Sequence, residues 1–103
     1  MAKVPTDKVR QSFHELSGFV SRQDVVNSLE RAAKDKKLLW KAKTNPEAFL
    51  RAEGHTLPAR AKFTISQERT AVSGQIRLCV RVCRLVGRFL VCVQICITII
   101  FQA

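Results

Sequence analysis

An α+β chain is expected: a small helical N-terminal region followed by a C-terminal, two-stranded, disulfide-bonded β-hairpin. Three observations predict it. All four cysteines fall near the C-terminus, as Cys79-x3-Cys83 and Cys92-x3-Cys96, and the numbers of the outer pair (79, 96) and inner pair (83, 92) have the same sum. Facing residues of an antiparallel hairpin keep a constant sum, so one register sets both pairs opposite each other. Its midpoint is Gly87-Arg88, a two-residue loop with glycine where a type II′ turn requires positive φ. Finally, residues 76–99 alternate with period two, the signature of a strand with one buried face.

Within that register Val86 and Phe89 close the turn as a hydrogen-bonded pair. The cysteine pairs 79/96 and 83/92 then fall on non-hydrogen-bonded sites, where Cα atoms approach to about 4.5 Å and disulfides are readily accommodated. One face collects Ile76, Leu78, Val80, Val82, Val86, Phe89, Val91, Val93, Ile95, Ile97 and Ile99, interrupted only by Arg84. The other carries the cysteines with Arg77, Arg81, Arg88, Gln94 and Thr98, plus Leu85 and Leu90. Cysteine spacing of this kind also permits tetrahedral zinc, but a two-stranded ribbon supplies no knuckle loops, and disulfides are the expectation.

The N-terminal elements follow in order. Thr6 caps a first helix with Val9, Phe13 and Leu16 on its stripe and Gly18 at its end. A second helix is expected over residues 21–43, with Val25, Val26, Leu29, Ala32, Ala33, Leu38, Leu39 and Trp40 on one side. Asn45-Pro46 reads as an N-cap with proline at the first helical position, and Gly54 ends that short helix. A turn at residues 55–58 leads to a short strand, residues 61–66, and a polar link, residues 67–73. His14 and His55 are expected on the surface. Trp40 is expected either in the core or as a docking anchor.

The net charge is +10, and all eight acidic residues precede residue 70. The arginine-bearing tail favours anionic partners, and an anionic lipid membrane is the expected one. Nucleic acid is not expected, because the lysine cluster at residues 34–43 offers only Trp40 for base stacking. No catalytic triad, paired carboxylates or phosphate loop stands out, so no enzyme, cofactor or metal centre is expected. The apolar run between Arg88 and Phe101 is shorter than the ~20 residues of a membrane-spanning helix. Residues 1–7 lack an apolar signal segment, so synthesis in the cytoplasm is expected, whereas clustered cysteines suit an oxidising destination.

Residues 32–65 carry Asp35, Leu38, Asn45-Pro46, Ala48, Leu50, Gly54 and Leu57-Pro58 in ungapped register. This pattern resembles the nitrile-hydratase-like leader of ribosomally made, post-translationally modified peptides. It differs at Asn45, where the family has Asp, and at Ala42-Lys43, where it has a leucine pair. The resemblance implies a leader, residues 1–74, and a core peptide, residues 75–103. Leu38, Trp40, Phe49, Leu50, Gly54, Leu57 and Pro58 would be recognised by a leader-processing peptidase or maturation enzyme and an exporter. Ser73-Gly74 is the expected cleavage point, with Arg69 the alternative for a trypsin-like protease. Nitrile hydratases themselves follow such a region with a Cys-x-x-Cys-x-Cys metal loop, which Cys79-x3-Cys83 does not match.

Residues 77–97 resemble tachyplesin- and protegrin-type antimicrobial β-hairpins, which also nest two disulfides across a basic ribbon. The implied function is the precursor of a cationic, bacteriocin-like membrane-active peptide, cytoplasmic as precursor and secreted when mature. Arg77, Arg81, Arg84 and Arg88 would attract the membrane, and Val80, Val82, Phe89, Val91, Val93 and Ile95 would enter it. Ribbons would further self-assemble through their strand edges. The alternative is a small basic membrane-associated interaction protein that is not cleaved.

Overall fold

A computed structural model describes residues 6–68, 70 and 72–101. Helices α1 (Thr6–Val20), α2 (Gln23–Lys34), α3 (Lys36–Thr44) and α4 (Pro46–Ala52) precede strands β1 (Lys62–Glu68), β2 (Gln75–Val86) and β3 (Phe89–Ile100). The strands form one antiparallel sheet in the order β1-β2-β3. The α+β class therefore stands, but the two-stranded hairpin is corrected to a three-stranded sheet. Phe63↔Val82 and Ile65↔Val80 pair β1 onto the hairpin, so β2 is the central strand. The reason is that an isolated ribbon is marginal in water, and a third strand satisfies the backbone groups along the outer side of β2. The short strand was legible in the sequence; its partner was not.

The hairpin register agrees with expectation: Cys79 faces Cys96, Cys83 faces Cys92, and Val86 faces Phe89. Both disulfides are formed, with Cα separations of 4.0 and 4.1 Å. Gly87 has φ +62, and Arg88 is not among the positive-φ residues, the sign pattern of a II′ turn.

Helices and sheet form two layers. Leu78, Val80 and Val82 of β2 are wholly buried against Leu16, Val20, Val25 and Leu29 of α1 and α2. Each such aliphatic side chain contributes about 1.5–3 kcal/mol on burial. α1 lies over β2 and β3, while α3 and α4 pack beside β1.

Two helices differ from expectation. α1 continues through Gly18 to Val20, and its buried side is Ser12, Leu16, Phe19 and Val20, with Phe13 49% exposed. A helical glycine costs about 1 kcal/mol, less than the burial of Phe19 and Val20 returns. The single helix over 21–43 is broken at Asp35, whose carboxylate accepts from the N–H groups of Lys37 (2.9 Å) and Leu38 (3.4 Å). Asp35 is a better N-cap than helix-interior residue, so it starts α3 instead of extending α2. Asn45 caps α4 as expected, accepting from Ala48 N–H at 3.2 Å, and Gly54 follows with φ +90.

Gly87→Val should destabilise the chain by about 1–2 kcal/mol, because a β-branched residue tolerates positive φ poorly. Denaturant melts under non-reducing conditions measure this; an unchanged midpoint would refute the turn assignment.

Candidate functional site

The alternation that buries one face of the hairpin exposes the other. Arg81, Gln94 and Thr98 are exposed on the cystine face, with Leu85 67% and Leu90 61% exposed at its tip. Cys79 is buried, and Cys83, Cys92 and Cys96 are half-buried beneath them. β1 contributes Lys62 and Thr64, and the preceding turn contributes Arg60, the only non-glycine residue with positive φ (56°) among those described. Arg60, Lys62, Thr64, Arg81, Cys83, Leu85 and Leu90 line an open cleft of about 670 Å³. Its lining sets the cations Arg60, Lys62 and Arg81 beside the exposed apolar side chains Leu85 and Leu90. Arg77, farther along the strand, is engaged by Glu68 at 3.3 Å.

Arg84 is not part of this surface. Its side chain is buried on the opposite face, forked onto Glu15 of α1 at 2.9 and 3.0 Å. Nε donates to the Ala59 carbonyl at 2.9 Å, and Ser12 Oγ lies at 3.5 Å. The expected membrane role of Arg84 concerns the released peptide; in the intact fold the guanidinium, standing on an apolar face, is held by a carboxylate partner. Those hydrogen bonds, against a smaller opposing effect of burial, hold the Glu15 carboxyl below its ordinary range and raise Arg84. Val80, Val82, Val91 and Val93 likewise lie in the core, with Ile95 half-buried and Phe89 42% exposed. The apolar face proposed for lipid is, in the intact chain, the interior.

The two cystines lie four residues apart along each strand, about 13 Å by strand rise, so the four sulfurs do not converge on one tetrahedral metal. The Glu68 carboxylate lies within 4.8 Å of the Cys79 and Cys96 sulfurs, but these are bonded to each other and offer no thiolate.

The expected docking residues divide. Phe49 and Leu50 belong to the core, and Leu38, Leu57 and Pro58 are half-buried. Trp40 is 66% exposed, which removes it from the core, and with Leu38 and Phe49 it borders a groove of about 560 Å³ between α3 and α4. Gly54 terminates α4. Ser73 and Gly74 form an exposed turn between β1 and β2, where Gly74 has φ +80 and its carbonyl accepts Phe101 N–H at 2.7 Å. Arg69 lies outside the described residues. Gly87 and Arg88 are exposed at the hairpin tip.

His14 is exposed, as expected, but His55 is buried, against the expectation of a surface role. Its Nε2 lies 2.7 Å from Ser28 Oγ, its Nδ1 3.8 Å from Asp24, and Phe19 meets its ring edge-on. The trio has the residue types of a hydrolytic triad. However, Ser28 is wholly buried, and its Oγ is enclosed by the Asp24 carbonyl at 3.1 Å and by an Arg31 N–H donating at 3.1 Å, so the hydroxyl is held inside a hydrogen-bond network. Partial desolvation raises the Asp24 carboxyl, but hydrogen bonds from Arg22 bring it net below its ordinary value. The network ties the turn after α4 to α2. Its one sequence signal was Ser28 standing on the apolar stripe between Val25 and Ala32.

Among the described residues, no helix is long and apolar enough to cross a membrane. Comparison with known proteins finds no matching family model, no similar curated protein and no similar solved structure.

Because the folded Glu15 carboxyl titrates below its unfolded value, its stabilisation is present above about pH 4 and lost as pH falls through the folded value. Glu15→Gln should therefore lower stability near pH 7 by about 1 kcal/mol, discounted for a half-exposed carboxylate, and flatten the acid limb. Denaturant melts across pH test this; identical acid limbs in both proteins would refute it.

Proposed function

We propose that this chain is the precursor of a cationic, membrane-active antimicrobial peptide, residues 75–103, held latent by residues 1–74. The supporting observation is topological. The hairpin's apolar face is covered by helices that belong entirely to the N-terminal part, while the turn joining the two parts, Ser73-Gly74, is exposed. A peptidase reaching that turn finds Ser73 and Gly74 exposed, and has to displace only the Phe101 N–H bond to the Gly74 carbonyl and the first residue of β2. Peeling the hairpin from β1 and the helices then frees the valine and isoleucine side chains, and Arg84 joins Arg77, Arg81 and Arg88. Each charge near an anionic bilayer contributes on the order of 1 kcal/mol. The disulfides keep the released ribbon from unravelling, since each limits the unfolded ensemble by a few kcal/mol. Export would carry the product out of the cytoplasm, with the exposed Trp40 groove as the handle for processing machinery.

A second reading rests on the forked Arg84–Glu15 pair and the β1–β2 ladder, which bind the two parts into one core. It keeps the chain whole, as a small basic protein that meets anionic membranes through the cleft of Arg60, Lys62, Arg81, Leu85 and Leu90.

Dye-loaded vesicles separate the two. On the precursor reading, oxidised peptide 75–103 releases dye from anionic but not zwitterionic vesicles, and the intact chain releases far less. Leakage by neither, or equal leakage by both, would reject latency. On the second reading the intact chain sediments with anionic vesicles, and Arg81→Glu with Leu90→Asp abolishes this.

A further inference from the structure

We infer that the intact chain pairs with a second copy of itself through the free edge of β3, joining two three-stranded sheets into one about a two-fold axis. This goes beyond the precursor reading and holds whether or not the chain is cut.

The two edges of the sheet are treated differently. β1 is short, carries Lys62 and Glu68, and lies beside α3 and α4. Its Phe63 N–H points away from β2 and is taken by the Glu47 carboxylate of α4 at 3.0 Å. β3 is packed on its core face by α1, but among the described residues its edge has no charged side chain and no side-chain acceptor for an outward N–H. It runs for 12 residues without a charge or a proline, the devices that ordinarily keep edge strands from pairing. Since Val86↔Phe89 is the hydrogen-bonded closing pair, ladder alternation turns the backbone of Leu90, Cys92, Gln94, Cys96, Thr98 and Ile100 outward. Among the described residues, no hydrogen bond from another element reaches those outward groups.

The occupant follows from charge and from self-complementarity. A strand with no charge has no electrostatic hold on an acidic partner, and it brings no like charges together when two copies of a +10 chain meet. A two-fold register centred on Ile95 keeps every outward residue facing an outward residue. It sets Leu90, 61% exposed, directly against Ile100 of the second copy, 66% exposed. On the helix side the half-buried Ile95 meets Ile95 of the second copy. Strand addition to a bare edge supplies backbone hydrogen bonds, and the facing side chains set the register.

Sedimentation equilibrium of the oxidised full chain tests the proposal, with circular dichroism to verify the fold of each variant. A concentration-dependent dimer is expected. Leu90→Lys alone and Ile100→Glu alone should each weaken it about tenfold, and the double variant, which sets Lys against Glu across the axis, should regain most of the loss. Gln94→Pro, which removes an outward N–H and leaves the β2 ladder intact, should yield monomer. Gln67→Pro on the β1 edge should leave the dimer unchanged. A chain monomeric throughout, a double variant weaker than both singles, or dissociation by Gln67→Pro but not Gln94→Pro would overturn the proposal. If Gln94→Pro fails to fold, the charge-swap pair decides alone.

Discussion

The structure depends on covering one apolar ladder. Leu78, Val80 and Val82 alternate along the central strand, and none has any exposed surface. A strand patterned this way cannot remain a free ribbon in water. Its apolar side must meet another layer, and four short amphipathic helices supply that layer. α1 and α2 are positioned by this demand: Leu16, Phe19, Val20, Val25 and Leu29 are their contributions to the shared core.

The exception within the ladder is as informative as the rule. Arg84 stands where the alternation calls for an apolar side chain, and a buried guanidinium without a partner would be strongly destabilising. Glu15, far away in sequence, supplies a two-pronged acceptor, and the Ala59 carbonyl takes a further N–H. This arrangement registers α1, the turn before β1 and the hairpin against one another. It also removes one cation from the surface, so the charge facing solvent near the hairpin tip comes from Arg81 and Arg88, joined by Arg60 and Lys62.

The disulfides act on a different link of the chain of causes. They do not choose the fold, because the register of β2 and β3 is already set by the II′ turn and by alternation. They secure the ribbon on its exposed side, where Leu85 and Leu90 have little to pack against. The result is a hairpin with two unlike faces: one is the core of the chain, and the other is a cationic surface crossed by two cystines. Any functional account has to treat the faces separately.

Local chemistry written into the sequence determined the hairpin register, the cysteine pairing, the turn at Gly87, the Asn45-Pro46 helix start and the stop at Gly54. Each depends on neighbours in the chain or on a strict period of two, so residue order suffices. Tertiary structure decided the rest: the joining of β1 to β2, the capture of Arg84 by Glu15, the burial of His55 against Ser28, the exposure of Trp40, and what covers the apolar face of the hairpin. These are contacts between segments far apart in sequence, chosen by competition among several apolar stripes for the same partner. Alternation can say which face of a strand has to be covered, but only packing selects what covers it.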